Sequence, residues 1–496
     1  MTDPYQTRAR AQSSPGWPPT ATPANTVNLS RAARSRLALH VQEALRRARG
    51  GRAVLVSVSE RIESISDPFA AVSASREAGE PWFCLEQPAD GRSVVAGLGS
   101  AAWIGGGDSA ERFTQAQARW LTLAERAVGD NPAGPPGCGL IAVGGFAFAP
   151  GGAGSPAWEG FDGAHALQVP EIALAAREGE VWLTLADQVH ESDSAAAVVA
   201  RIERSLGRLR AAPLPMRDPA LVGRFTVHGA MPPEHYEQAV GRAVEKIRAG
   251  ELEKVVLARE VGVDGPVAFE PGAVFGSLRE RFPECFVYAV GRDEKCFIGA
   301  TPELLVRREG ERAATVALAG TARRSEDRAL DDHLGQELLG SEKNLQENLI
   351  VAKRIAAELK PFSVWVTVSS APQLIKVANV QHLATPIRAQ LKEGAGALEL
   401  AGALHPTPAV GGEPGAVARS LIPALEGFDR GWYAGTVGWT DASGDGEFCV
   451  ALRCALLQGK HAACYSGAGI VQGSDPAAEL AETEFKLRAM LSVLVS

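Results

Sequence analysis

The stretch from Tyr465 to Leu494 constrains the fold of this chain most, because a glycine-rich segment leads directly into a helix with clear boundaries. Residues 466–469 (Ser-Gly-Ala-Gly) are typical of a turn whose backbone N–H groups can face an anion. Asp475 or Ser474 is a plausible N-cap, and Pro476 suits the first helical position. The sequence therefore predicts a glycine-lined turn followed by a C-terminal helix.

One face of this predicted helix is polar. Glu479, Glu482, Thr483 and Lys486 follow the i, i+3, i+4, i+7 spacing that places side chains on the same side of a helix. Such a face is ordinarily solvated, with a Glu482–Lys486 ion pair. The alternative is that the carboxylates face a hard cation beside an anion site. The remainder of the chain has to decide between these two interpretations.

Composition restricts the class of protein. The chain has 496 residues, 46% of them hydrophobic and 22% charged, as is usual for a globular protein with a large core. Its net charge of −8 argues against a nucleic-acid partner. No apolar run approaches the ~18 residues that span a bilayer, and no secretory signal is evident. Seven cysteines without C-x-x-C spacing indicate neither a disulfide framework nor a zinc site, so we expect a cytoplasmic location.

The chain divides into three parts. Residues 1–28 are a Pro-, Ser- and Thr-rich mixture without periodicity, which predicts a disordered tail. Residues 29–222 alternate strand and helix patterns without a catalytic constellation, and 213–222 resembles a linker. Residues 223–496 carry the candidate chemistry and form the predicted catalytic core.

Several elements of this core are predicted from local pattern. They are a strand over 253–259, a hairpin of strands 285–290 and 295–298, a helix over 341–359, and a strand over 448–457 that includes Arg453.

Lys254 and Glu303 are candidates for proton transfer. A lysine on a strand is more often exposed on the polar face, but one that faces inward offers an amine as a general base. Glu303 begins a strand after Thr301-Pro302. It is either a turn residue or, in a dry site, a carboxyl group that stays protonated and acts as the complementary acid.

Glu347 is a candidate ligand for a metal ion. It lies four residues after Lys343 on a predicted helix, so a surface ion pair is the plain alternative. Mg²⁺ prefers carboxylates together with substrate oxygens and water, and Glu479 and Glu482 are the natural partners. Carboxylates that converged without a cation would repel each other, so convergence would itself indicate a metal.

Other residues suit an anionic substrate. Arg453 and Lys486 can bind carboxylates or form ordinary salt bridges. His382 is either a satisfied core histidine or a substrate contact. Gly320 and the segment 467–469 offer backbone N–H groups. Each of these signals is weak when taken alone.

Taken in order, the motifs resemble those of the chorismate-utilising enzymes, most closely isochorismate synthase. The resemblance is strong over about residues 225–496 and loose before them. The matching strings are KVVLARE at 254–260, GATPELL at 299–305, LAGTARR at 318–324, SEKNLQEN at 341–348, HLATP at 382–386, LHPTPAVGG at 404–412, GTVGW at 435–439, the strand at Arg453, and SGAGIV with E-x-x-E-T-x-x-K at the C-terminus.

This resemblance implies an α+β fold of stacked, mainly antiparallel β-sheets flanked by helices, with the active site between the sheets. It implies chorismate as substrate and Mg²⁺ as cofactor, with Lys254 as the base that activates water and Glu303 as the acid. Glu347 and Glu482 match direct metal ligands, and Glu479 matches an acidic neighbour. The implied substrate contacts are Gly320, Thr321, His382, Thr385, Arg453, Gly467, Ala468, Gly469 and Lys486.

Within the superfamily, the loop His405–Gly412 favours isochorismate synthase over enzymes that use ammonia. The alternatives are a salicylate synthase, which would also eliminate pyruvate, and a non-catalytic relative that binds chorismate. Gln346, Gln381 and Glu413 depart from common family residues, although none is a proposed base, acid or ligand. Relatives are often monomers, and the sequence leaves open whether a menaquinone or a siderophore pathway uses the product.

Overall fold

The computed structural model describes residues 27–106, 110–161, 163, 165–216, 223–377 and 380–495. Almost all of the predicted tail and most of the predicted linker lie outside these residues. Helices are interspersed among runs of consecutive strands along the described chain. The helices are α1 (Arg31–Ala48), α2 (Pro68–Ser75), α3 (Arg112–Arg126), α4 (Ala195–Arg208), α5 (Pro233–Arg248), α6 (Pro271–Arg281), α7 (Arg328–Gly340), α8 (Glu342–Leu359), α9 (Ala397–Leu404), α10 (Gly415–Glu426) and α11 (Pro476–Leu494).

The strands form two large sheets. They are β1 (Val54–Ile62), β2 (Gly79–Gln87), β3 (Ser93–Leu98), β4 (Ala102–Gly106), β5 (Ile141–Phe146), β6 (His165–Val169), β7 (Ile172–Arg177), β8 (Glu180–Val189), β9 (Thr226–Gly229), β10 (Lys254–Asp264), β11 (Phe286–Asp293), β12 (Lys295–Thr301), β13 (Leu304–Glu309), β14 (Arg312–Arg323), β15 (Ser363–Val368), β16 (Gln373–Lys376), β17 (Val380–Leu391), β18 (Gly412–Glu413), β19 (Thr436–Asp441), β20 (Gly446–Val450), β21 (Cys454–Gln458) and β22 (His461–Ile470).

Within the described residues, the first sheet has 12 strands in the order β1-β8-β7-β3-β2-β11-β12-β21-β22-β10-β18, and β9 also pairs with β10. The second has 10 strands in the order β15-β17-β14-β13-β20-β19-β5-β6-β4, and β16 also pairs with β17. The ladders that join these strands are antiparallel. The α+β class with stacked antiparallel sheets is therefore confirmed, and each sheet takes strands from both sides of residue 222.

Both faces of the first sheet are buried, because alternate residues along its strands belong to two different cores. In β11, Phe286, Tyr288 and Val290 belong to the core that lies between the sheets. The intervening Val287 and Ala289 belong to a second core, formed with the helices on the opposite face. Successive side chains of a strand point to opposite faces, so a continuous apolar run fits a strand that is buried on both sides.

The chain crosses between the sheets at two places that matter for the site. β12 belongs to the first sheet and β13 to the second, with Pro302–Glu303 between them. The return crossing joins β20 to β21 through residues 451–453. The prediction of one strand over 448–457 is therefore wrong, because its two halves belong to different sheets. Arg453 takes a left-handed conformation at this break, with φ of 48°, although the apolar sequence around it shows no interruption.

The C-terminal segment agrees in part with its prediction. Residues 466–469 are not a turn. They lie inside β22, where Gly467 pairs with Ala258 and Gly469 with Val256. These small residues allow close approach from the site side of the sheet rather than a change of chain direction. The helix is confirmed as α11, and Asp475 caps it by accepting a hydrogen bond from the N–H of Ala478 at 2.9 Å.

Helix α7 was not predicted from the sequence, whereas the predicted helix over 341–359 is present as α8 with Ser341 as its N-cap. Across the described part of the chain, no helix combines the length and the apolar character that crossing a membrane requires.

Candidate active site

A cavity lies beside the two crossings between the sheets. Most of the residues predicted from sequence line it, namely Glu303, Gly320, Thr321, Glu347, His382, Arg453, Gly467, Gly469, Glu482 and Lys486. Strands β14, β17 and β22, helices α8 and α11 and the two crossing segments contribute these side chains. The topology thus brings together groups that are widely separated in the sequence.

Four predicted residues lie outside the lining of the cavity. Lys254 and Glu479 are buried and paired with charged side chains, as described below. Thr385 donates a hydrogen bond of 2.6 Å to Asn348 Oδ1. Ala468 is buried in β22 opposite Leu257. The structure therefore gives Thr385 and Ala468 supporting positions rather than places on the cavity wall.

Glu303 is held at the first crossing. Its backbone carbonyl accepts a hydrogen bond from the N–H of Val450 at 3.0 Å, and the residue is only 4% exposed. Burial raises the pKa of its carboxyl group to about 8, although the charges of Lys254, Lys486 and Arg453 oppose the rise. Near neutral pH this carboxyl group carries its proton, so it can donate one.

Lys254 starts strand β10 and is fully buried, so the expectation that a strand lysine faces solvent is wrong here. Its Nζ lies 2.9 Å from Glu347 Oε1. Among the described residues, however, this amine has no hydrogen bond of normal geometry. Gly469 makes the arrangement possible, because a Cβ atom at that position would overlap with Glu347 Oε1 and lie 3.0 Å from Lys254 Cε. The amine is therefore buried beside Glu347, which lines the cavity, and it has capacity for a further partner.

Three carboxylates from two helices approach the same region. Glu347 of α8 and Glu482 of α11 line the cavity. Glu479 is buried, and its pKa is raised by burial and by the charge of Glu482, while Lys343 opposes the rise. Carboxylate oxygens are the donors that Mg²⁺ prefers.

Each of these carboxylates is paired with a lysine. Lys254 pairs with Glu347, Lys486 with Glu482 at 2.6 Å, and Lys343 with Glu479 at 2.8 Å. The described residues contain no ready-made cluster of three acidic, histidine or cysteine side chains arranged as metal ligands. The donor chemistry fits Mg²⁺, and each of the three carboxylates has a lysine side chain beside it in this structure.

Three polar side chains joined by hydrogen bonds form another wall of the cavity. Arg453 donates to His382 Nε2 at 3.1 Å, and the Nδ1 of this ring lies 3.0 Å from Thr321 Oγ1. Burial, together with the charges of Arg453 and Lys486, lowers the pKa of His382 well below its usual value. Because arginine can only donate, the neutral ring accepts at Nε2 and carries its proton on Nδ1. His382 thereby fixes the guanidinium of Arg453 beside the cavity.

Sequence reasoning missed the residues that complete the pocket. Tyr433 lines it, stacked on Tyr465 with ring centroids 5.4 Å apart, and Val256 and Val410 form further parts of the wall. Burial raises the pKa of the Tyr433 phenol, which stays protonated. An aromatic pair between glycines, in the segment 431–435, was the available signal for Tyr433.

Comparisons with known proteins identify the family to which the chain belongs. The sequence model of the family described as "Chorismate binding enzyme" matches residues 40–495. The chain therefore belongs to the chorismate-binding enzyme family.

Particular relatives can be named. The chain is 38% identical over 445 residues to the salicylate biosynthesis isochorismate synthase of Pseudomonas aeruginosa, covering 89% of this chain and 90% of that protein. It is 32% identical over 450 residues to isochorismate synthase MenF of Bacillus subtilis, covering 89% and 94%. Among solved structures, the menaquinone-specific isochorismate synthase MenF of Escherichia coli matches with a TM-score of 0.74 and 27% identity, covering 92% of this chain and all of that one.

Proposed function

We propose that this chain is an isochorismate synthase, which adds water at ring C2 of chorismate and releases the C4 hydroxyl group. The observation that carries the proposal is that two buried groups of complementary chemistry lie near each other. Lys254 offers an amine, and Glu303 offers a carboxyl group whose pKa of about 8 keeps it protonated. The names of the relatives described above support the same reaction.

In this proposal each side chain has one role. Lys254 takes a proton from the attacking water, and Glu303 gives a proton to the departing hydroxyl group. Arg453 and Lys486 bind substrate carboxylates, and His382 orients Arg453 through the hydrogen bond at Nε2. Lys254 and Glu303 would be held at the two ends of the allylic displacement. Proton removal from water and proton donation to the hydroxyl group could then occur in one oriented step.

We also propose Mg²⁺ as the cofactor. Glu347 and Glu482 would hold it, with Glu479 as an acidic neighbour. When bound, the ion supplies positive charge for the C1 carboxylate of the substrate. In this structure Glu347 pairs with Lys254 and Glu482 pairs with Lys486.

The products of chorismate distinguish the candidate functions. The purified protein is incubated with chorismate and Mg²⁺, with and without ammonium, and the products are separated. The proposal predicts isochorismate alone under both conditions. Salicylate with pyruvate would indicate a salicylate synthase, anthranilate that requires ammonium would contradict both, and no turnover would favour a chorismate-binding protein without catalysis.

A further inference from the structure

The edge of strand β10 beside Lys254 is covered in an unusual way. One edge of β10 pairs with β22 along most of its length. On the opposite edge, β18 pairs with residues 254–255 and β9 with residues 261–264. The N–H of Val256 also donates to Gly411 O at 2.8 Å. Between these contacts, no strand of the described chain covers the edge.

Two side chains fill the gap. The Nη2 of Arg430 donates to Val256 O at 2.9 Å, and the N–H of Ala258 donates to Glu426 Oε1 at 2.7 Å. Glu426 and Arg430 also bind each other, with Arg430 Nε 2.9 Å from Glu426 Oε2. The guanidinium of Arg430 and the carboxylate of Glu426 thus form the hydrogen bonds that the N–H and C=O groups of a neighbouring strand would otherwise form with β10. Without them, Val256 O and Ala258 N would be buried without partners, which is costly.

This pair is deeply buried. The side chains of Arg430 and Glu426 are 3% and 1% exposed. Burial raises the pKa of Glu426, although Arg430 opposes the rise. Buried ion pairs often stabilise a fold no better than apolar side chains of the same size would, so stability alone does not account for this one. Apolar side chains could not form the hydrogen bonds that this pair makes with the edge of β10.

Arg430 of the Glu426–Arg430 pair contacts several residues of the cavity wall without itself lining the cavity. Arg430 Nη1 donates to Val410 O at 2.8 Å, and the guanidinium lies 5.8 Å from the ring centroid of Tyr433. Val256, Val410 and Tyr433 all line the cavity, whereas Glu426 and Arg430 do not. Their contacts therefore act on the site only through other residues.

We propose that Glu426 and Arg430 are positioning residues that fix the strand of Lys254 against the loop at Val410, so that the amine stays aligned with Glu303. This inference rests on the proposed function. It adds two residues that touch neither the substrate nor the metal ligands.

The test replaces Arg430 by lysine, which keeps the charge but loses the planar fork that reaches two carbonyls and a carboxylate. For Arg430→Lys we expect kcat to fall on the order of 10- to 100-fold, because small misplacements of a catalytic group have effects of this size. The KM for chorismate should stay within about threefold of wild type, since Arg453 and Lys486 lie on other elements.

Arg279→Lys is the matched control. Arg279 forms a largely buried network of its own, donating to Glu86 Oε2 and Asp67 Oδ2 at 2.6 Å each, and it is not part of the cavity lining. We expect it to lower the melting temperature about as much as Arg430→Lys does, with kcat unchanged. Equal losses of kcat in the two variants would overturn the proposal.

Two further measurements keep the proposal testable if Arg430→Lys folds poorly or the enzyme proves inactive. Glu426→Gln keeps the acceptor for Ala258 N and should retain most of kcat, whereas Glu426→Leu should lose it. Hydrogen exchange of the amides at 256–258 should accelerate in Arg430→Lys and Glu426→Leu, but not in Arg279→Lys. Unchanged exchange would refute the positioning role whatever the activity, and a wild-type protein that forms no isochorismate would refute the proposed function separately.

Discussion

At the residue scale, the chemistry of Glu303 depends on where the chain places it. The same carboxyl group in water would be ionised at neutral pH, and it stays protonated here because the crossing between the sheets is buried. The motif Thr-Pro-Glu marks the residue in the sequence, but only the structure shows the burial. The burial of Lys254 is likewise visible only in the structure, because strand lysines are ordinarily exposed and this one is not.

The raised pKa of Glu303 predicts a pH dependence. Since the proposed acid must hold its proton to protonate the leaving hydroxyl group, kcat/KM for chorismate, which reports the free enzyme, should fall as the pH rises through about 8. Glu303→Gln should lose turnover at every pH, because an amide does not supply that proton. A wild-type profile that stays level through this alkaline range would contradict the assignment.

Gly469 offers a test of the contact between Lys254, the proposed base, and Glu347, a proposed metal ligand. A Cβ atom there would overlap with Glu347 Oε1 and approach Lys254 Cε, so Gly469→Ala should separate this pair and lower kcat by about 10-fold or more. Gly473 is the control, because a Cβ atom at that position would meet nothing within 4 Å, and Gly473→Ala should be close to wild type. Comparable steady-state rates for the two variants would argue against the described geometry.

At the element scale, helices α8 and α11 were predictable because their signals are local. Ser341 and Asp475 cap them within three residues along the chain, and the spacing of Glu479, Glu482 and Lys486 follows directly from helical geometry. The crossing at Arg453 was not predictable, because the break between β20 and β21 depends on how two sheets are stacked. The glycines of β22 were misread for a related reason, since Gly469 leaves room for Glu347 and Lys254, and Gly467 leaves room for Tyr433, all from other elements.

The N-cap of α11 supplies a prediction about stability. Asp475→Ala removes the acceptor for the N–H of Ala478 and should lower the free energy of unfolding by about 1 kcal/mol. Asp475→Asn keeps an acceptor oxygen and should cost much less. Urea denaturation of the two variants measures the difference, and equal losses would show that the cap contributes little.

At the scale of the whole molecule, the two sheets join the halves of the chain. β2 pairs with β11 in the first sheet, and β5 pairs with β19 in the second, so strands from before and after residue 222 are neighbours in both. The sequence indicated a boundary at 222 from the linker-like segment 213–222. Nothing local could reveal that strands on its two sides would pair with each other.

This arrangement predicts that residues 223–496 do not fold alone. Removing the first half would expose the edges of β11 and β19, which are interior strands of their sheets. Exposed apolar edges favour aggregation. We expect this fragment to be insoluble when expressed by itself and to be recovered on co-expression with residues 27–222. A soluble fragment with a cooperative unfolding transition would instead show that the second half is an independent domain.

In the proposed mechanism, Lys254 activates water for attack at C2 while Glu303 protonates the departing C4 hydroxyl group. The most direct measurement is turnover of chorismate in water enriched in heavy oxygen, with mass analysis of the product. We expect the wild-type protein to form isochorismate that carries one heavy oxygen atom. Lys254→Met should form no product while retaining the wild-type circular dichroism spectrum. Isochorismate without the label, or full activity in Lys254→Met, would contradict it.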